Sequence, residues 1–288
     1  MSEHVLFYQE NGYVHIPNFL SNNEVDTLKQ EIQDIKNNAK LPEVILPHIK
    51  YMGTKYHLNS VDTIDLFFEN QYVKDGKLIV PLVDAVHKIG HGAHVKSSVV
   101  RDLVFGSKMK NAVKSLAGFS TAAVVQSMFL LKQPRVGEPS PIHIDETYLM
   151  TDPPGKVAGV WIALDDATEA NGCLEFLPKS HKSHVVTKNW IRKAEDHERG
   201  KEWESLMNFT NNNDQETPVN ERDFVKVPVM SGGLVMIHGR VLHKSNANNS
   251  LYPRSAFTFH VYDTSSRWSH SNWIQEKPDY KFPLLFSN

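Results

Sequence analysis

Ala122-Ala123-Val124-Val125-Gln126-Ser127-Met128-Phe129-Leu130-Leu131-Lys132 is a run of apolar, largely β-branched and long aliphatic side chains that begins just after the stop signal Gly118-Phe119-Ser120. It reads as a long buried strand, and it opens a region of changed texture. Beyond it, segments of similar character recur at 141–150, 157–164, 173–177, 224–229, 234–238, 240–245 and 255–262, separated by Gly, Pro and Asn turns. Strands that follow one another without intervening helices predict an antiparallel double sheet rather than a parallel α/β sheet. The expected fold is therefore mainly β, a double-stranded β-helix of the jelly-roll, cupin-like kind spanning 121–265.

Upstream the pattern is different. Ser21-Asn22-Asn23-Glu24 has the form of a capping box, and Val25, Leu28, Ile32 and Ile35 follow on one helical face, with Leu20 placed to staple Val25. A short extended piece, Gly12 to Pro17, precedes this helix. Helices are also expected from Val83 to Ile89 and from Ser107 to Leu116, where Met109, Val113 and Leu116 are in register and Gly118 ends the run. Residues 1–120 thus read as a mostly helical part that buttresses one face of the β core. With no repeat and no linker-like tract, 1–288 reads as one domain. Within it, 182–222 is an insertion of mixed charge, read either as a lid or as a solvated surface loop with one helix.

Composition narrows the chemistry. The 288 residues include 31 basic and 33 acidic side chains, for a net charge of −2, with 40% apolar residues. Such a balance offers no chain-wide footprint for nucleic acid or an acidic membrane, and leaves a small molecule as the expected partner, with oligomeric state open. The longest uncharged stretch, Ser115 to Leu131, falls short of a bilayer span. Neither a secretory leader nor a C-terminal peroxisomal signal is present, so a cytoplasmic location is expected. Cys173 is the single cysteine, which rules out an intrachain disulfide and any zinc site needing several thiolates, whereas His occurs 15 times. Metal chemistry, if present, uses imidazole and carboxylate.

Pro141-Ile142-His143-Ile144-Asp145-Glu146 alternates apolar and polar residues, so on a strand His143 and Asp145 share a face. An imidazole and a carboxylate so placed are two corners of a facial triad, which leaves the opposite side of an octahedral ion open for substrates. The bland reading is an exposed His beside a solvated Asp. The third corner would come from Gly233 to Ser245, where His238 and His243 compete; five residues apart, they point to opposite faces of any continuous strand. Arg254 follows eleven residues after His243 and opens the strand Ser255 to His260. A guanidinium turned inward needs a partner, which a dicarboxylate cosubstrate supplies, although a rim ion pair would serve as well. His181, His184 and His197 are further imidazoles without a clear metal motif, and Cys173 reads as a small buried hydrophobe. Tyr51, Tyr56, Phe67 and Phe68 suggest either a pocket lining or ordinary core.

Several blocks together resemble one family. Asn11-Gly12-Tyr13-Val14-His15-Ile16-Pro17-Asn18-Phe19-Leu20, Trp161-Ile162-Ala163-Leu164-Asp165-Asp166-Ala167-Thr168, Asn171-Gly172-Cys173-Leu174 and Pro178-Lys179-Ser180-His181 are similar to segments of the phytanoyl-CoA dioxygenase family of iron(II)- and 2-oxoglutarate-dependent oxygenases. His143, Asp145, His243, Ser245 and Arg254 follow that family's order and spacing. The resemblance implies that His143, Asp145 and His243 bind Fe(II), that Arg254 and Ser245 hold the far carboxylate of 2-oxoglutarate, and that Lys88, Met128 and Trp161 line its pocket. It implies an enzyme that consumes O2 and 2-oxoglutarate and hydroxylates a C–H bond of a small molecule, releasing succinate and CO2. The cleavable peroxisomal presequence of the family's acyl-CoA hydroxylase is missing, so a branched acyl-CoA substrate does not follow. Two other readings stand beside this one: a catalytically silent jelly-roll protein that binds metal and 2-oxoglutarate, and a zinc hydrolase. The absence of a candidate general base near His143 weighs against the second.

Overall fold

The structure, a computed structural model, describes residues 3–183, 188–193, 205–211 and 219–287. The strands that matter here are β1 (Tyr13–Ile16), β2 (Ile64–Phe68), β3 (Val86–His91), β4 (Ala122–Lys132), β5 (Ser140–His143), β6 (Val157–Ala163), β7 (Leu174–Phe176), β8 (Lys188–Arg192), β9 (Met207–Asn211), β10 (Val225–Val227), β11 (Leu234–His238), β12 (His243–Ser245), β13 (Arg254–Asp263) and β14 (Leu284–Phe286). They form an eight-stranded antiparallel sheet in the order β1-β11-β6-β13-β4-β3-β2, with β14 also paired to β4. A four-stranded sheet, β10-β7-β12-β5, is the second layer. Side chains from the two layers meet in a shared core of Tyr13, Trp161, Ala163, Val235, Ile237 and Ala256 against Leu174, Phe176 and Val227. The expected jelly roll is thus the observed fold.

The alternation of β4, β6, β11 and β13 sends every second side chain to the other face of the large sheet. There Phe129, Leu131, Phe257, Phe259, Val160, Ile162, Leu234 and Met236 join Val25, Leu28 and Ile32 of α1 (Asn22–Asn38) and Met109, Val113 and Leu116 of α2 (Ser107–Ala117) in one apolar cluster. α1 starts where the sequence predicts: Ser21 and Glu24 complete a reciprocal capping box. α2 ends on Gly118 with φ +68°, the left-handed turn that glycine adopts without a Cβ penalty. Among the described residues no helix is long and apolar enough to cross a membrane.

Two expectations need correction. The helix predicted over 83–89 is a single turn, Leu82–Ala85, followed by β3, whose residues pair with β2 on one side and β4 on the other. A short apolar run carries too little periodicity to separate the two states, and pairing with two strands decided it. The strand predicted over 141–150 is only β5; Asp145–Thr147 is a turn of 3₁₀ helix. The described residues of the insertion 182–222 contain an antiparallel ribbon, β8 with β9, and the start of a 3₁₀ turn, Glu221–Asp223; the rest of the expected loop and helix lies outside the described residues. His184 and His197 lie outside the described residues.

Candidate active site

β5 and β12 are neighbours in the small sheet, and their register sets His143 directly opposite His243. The imidazole rings stand 4.2 Å apart between centroids. Each ring is oriented from behind: His143 Nδ1–H donates to the Pro141 carbonyl at 2.8 Å and His243 Nδ1–H to the Val241 carbonyl at 3.0 Å. Both Nδ1 donors are spent on backbone oxygens, which leaves each ring to present Nε2 to Asp145. Ile144 remains extended and Asp145 begins the 3₁₀ turn, which swings its carboxylate back between the two rings. Asp145 Oδ1 lies 3.9 Å from His143 Nε2 and 3.8 Å from His243 Nε2. Strand alternation by itself would put His143 and Asp145 on one face; the turn at Asp145 is what brings its oxygen to the common point.

These three donors all lie within 4.8 Å of one another, and they are the one such cluster of His, Cys, Asp and Glu among the described residues. The protonation states suit a cation. Burial, and then the neighbouring His243, push the His143 imidazole down to about 4, so it is neutral near pH 7. Burial alone would raise Asp145, but His260 and His243 hold it below the ordinary carboxylate value, and it is ionised. Two imidazole nitrogens and one carboxylate oxygen form the donor set that suits non-haem iron(II) with open positions opposite.

The competing histidines are placed elsewhere. His238 ends β11 in the large sheet, beside Tyr8 and His181, whose ring is 4.9 Å away. His181 Nε2 faces the Gln9 carbonyl at 3.2 Å. Neither shares the cluster with Asp145. Cys173 is buried between the sheets, and burial raises its thiol.

A buried cation is joined to the strand that carries His243. Arg254 opens β13 and is only 2% exposed; its Nη2 donates to Ser245 Oγ at 3.2 Å, and Ser245 sits two residues from His243 on β12. Its Nε and Nη1 have no hydrogen-bond partner among the described residues. Burial lowers this guanidinium to about 10 without discharging it. Leaving such donors unpaired costs several kcal/mol, on the order of a buried ion pair broken on one side, so the guanidinium suits a carboxylate partner. The Trp161 ring centroid lies 5.6 Å from the guanidinium carbon. Lys88, lowered to about 8 by burial, holds its Nζ 4.6 Å from the Phe67 ring centre, and Met128 on β4 pairs with Gly90 of β3 and Thr258 of β13. Lys132, which sequence reasoning passed over, is pushed down to about 7 by burial and then by Arg254, and bonds the Ser245 and Asn246 carbonyls. Tyr51, Phe67 and Phe68 are buried in the main apolar cluster, with Phe67 turned toward Lys88.

A series of aromatic contacts leads from His143 to the β8–β9 ribbon. Tyr148, just past the 3₁₀ turn, stands 6.1 Å from His143 and reaches Trp190 and Phe209 of the β8–β9 ribbon at 5.9 and 6.4 Å. Tyr148 and the ribbon residues were also missed, because nothing in local spacing ties 190 or 209 to 143. Glu146, adjacent to Asp145, is pushed up to about 7 by burial, and its Oε1 accepts from the Gly155 backbone at 2.6 Å.

Comparison with known proteins agrees with this geometry. Residues 8–256 match the family model for phytanoyl-CoA dioxygenase. The chain is 37% identical over 289 residues to phytanoyl-CoA dioxygenase domain-containing protein 1 homolog of Caenorhabditis elegans, covering 98% of each, and 35% identical over 298 residues to phytanoyl-CoA dioxygenase domain-containing protein 1 of Mus musculus, covering 97% and 96%. Among solved structures, the epimerase SnoN in complex with Fe3+, alpha ketoglutarate and nogalamycin RO superposes with a TM-score of 0.63 at 17% identity, over 98% of this chain and 97% of that one. That likeness speaks to the fold. The chain belongs to the phytanoyl-CoA dioxygenase family, and with that membership it is an enzyme of the 2-oxoglutarate-dependent oxygenase class that uses iron.

Proposed function

We propose that this member of the family hydroxylates a C–H bond of a small-molecule substrate, with His143, Asp145 and His243 holding Fe(II). In this reading Arg254 and Ser245 clamp the far carboxylate of 2-oxoglutarate, and Lys88, Met128 and Trp161 wall its pocket. Iron bound there supplies the oxidative chemistry, in which 2-oxoglutarate and O2 become succinate and CO2 and one oxygen atom enters the substrate. The chain's own groups bind, orient and keep water out. Arg254 fixes the diacid at one end by charge and fork geometry. The Pro141 and Val241 carbonyls keep both ligand rings in the correct tautomer. Trp190 and Phe209 of the β8–β9 ribbon stand with Tyr148 beside the opening, where they restrict solvent and shape what enters. No side chain is required to take a proton from the substrate.

The observation that carries this reading is Arg254: a buried guanidinium with two unpaired nitrogens, joined through Ser245 to the strand that presents His243. A zinc hydrolase has no use for it. The test is anaerobic addition of Fe(II) and 2-oxoglutarate to the metal-free protein, followed by admission of O2. A weak visible charge-transfer band and then succinate release are expected. Absence of the band would overturn the assignment of ligands, and a band without any succinate, with metabolite extracts supplied as substrate, would leave a silent binder instead. A mass gain of one oxygen in such an extract identifies the substrate.

A further inference from the structure

β13 presents Arg254, Ala256, Thr258 and His260 at alternate positions on one face. The last of these reaches the metal-ligand cluster from the side opposite His143 and His243. His260 Nε2 lies 3.4 Å from Asp145 Oδ2, whereas the oxygen nearer the two ligand rings is Oδ1. Behind the ring, Gln126 on β4 holds its Nε2 3.0 Å from His260 Nδ1; the amide N–H donates, Nδ1 accepts, and the remaining ring proton is left on Nε2, facing the carboxylate. All three side chains are buried. The approach depends on Gly159, the cross-strand partner of His260 on β6. A Cβ there would stand 3.2 Å from Asp145 Oδ2 and 3.3 Å from His260 Nε2, wedged between the two groups.

We infer that His260 is a positioning residue that divides the Asp145 carboxylate, engaging Oδ2 so that only Oδ1 is offered to the metal. A carboxylate left to itself can take a metal through both oxygens, and the second would occupy a position that the 2-oxo acid end of the cosubstrate or O2 needs. Gln126 sets the tautomer, and Gly159 keeps the gap between ring and carboxylate clear. The inference rests on the ligand assignment proposed above.

The test compares wild type with His260→Leu, His260→Gln and Gly159→Ala, all first checked for a native circular dichroism spectrum and melting transition. Fe(II) affinity is read with no cosubstrate present, and 2-oxoglutarate affinity is read anaerobically from the charge-transfer band. His260→Leu is expected to raise the apparent Kd for 2-oxoglutarate about 10- to 100-fold and to shift or weaken the band, as loss of an outer partner of a metal ligand does. Its affinity for Fe(II) alone should hold or tighten. His260→Gln, whose amide reaches the same oxygen, should recover most of the loss, while Gly159→Ala should reproduce it with His260 still in the chain. A band and 2-oxoglutarate Kd unchanged in His260→Leu would overturn the inference, and so would a Gln variant no better than Leu. If His260→Leu does not fold, Gly159→Ala decides by the same two readings. Wild type without any band would instead overturn the ligand assignment, so the two failures are distinguishable.

Discussion

The two faces of the large sheet are built from the same strands and do opposite work. On the helix side, Phe129, Leu131, Phe257, Phe259, Val160 and Ile162 are fully packed hydrocarbon against α1 and α2. On the inner side the intervening residues include Gln126, Lys132, Arg254, Thr258 and His260, every one of them buried. Arg254 and Gln126 leave polar atoms unpaired there. A protein tolerates such orphans only where something else completes them or where the cost is offset by the rest of the fold. The helix side supplies that offset, and the inner side uses it to hold buried charged and polar groups in place. Stability and function are thereby separated by a period of two along much of β4 and β13.

That separation can be broken from either side. The largest effect is expected from Asp145→Ala, which should abolish 2-oxoglutarate-dependent succinate formation while leaving the melting temperature within a few degrees of wild type, since the carboxylate contributes to the site and not to the apolar packing. Retained turnover would contradict the division. Phe257→Ala, one position along the chain from the inner face, should do the reverse. It removes a buried ring and costs about 3–5 kcal/mol, seen as a fall of roughly 10 °C in Tm, with kcat of the surviving folded protein little changed. Arg254→Leu is intermediate. Losing one charge-assisted partner of the cosubstrate, worth about 1.5–3 kcal/mol, should raise KM for 2-oxoglutarate roughly 10- to 100-fold, and an equal KM would place the diacid elsewhere.

The smallest effect probes the rim of the sheet. Glu69, just beyond β2, is buried beside His87, whose Nδ1 is 3.3 Å from its Oε1, and burial raises its carboxyl from 4.5 to about 7. The folded chain therefore holds this proton more tightly than the unfolded chain does. Its contribution is complete below pH 4.5 and is lost as pH rises through about 7, so Tm should decline across that window. Glu69→Gln should flatten the decline by a few degrees, and a slope identical to wild type would show that another group sets it.

How much of this was readable before the chain was folded differs from segment to segment. β4, β11 and β13 announced themselves through β-branched and aromatic runs bounded by turn residues, and α1 through its capping box, because those signals are local. Val86–His91 did not. Six residues of mixed character are compatible with either a helix or a strand, and the choice fell to two neighbours that offer hydrogen bonds. The ligand residues were legible as a short motif plus spacing, yet the geometry at Asp145 was misjudged, since a 3₁₀ turn has no sequence mark as plain as strand alternation. His260 and Gln126 were overlooked for a related reason. Each is an ordinary inward position on a strand, and the register of β13 with β4 is what pairs them.

The order of residues along the chain determined by itself which elements exist, which side chains are apolar on every second position, and which imidazoles and carboxylate are chemically able to take a metal. Tertiary structure alone decided that His143 stands across from His243, that Asp145 turns back between them, that His260 rather than His238 looks at its second oxygen, and that Arg254 is left unpaired. The physical reason is range. Helix caps and strand alternation act over a few residues, whereas an orphaned charge or a shared carboxylate is defined only when sheet register brings distant side chains within a few ångströms and removes the water between them.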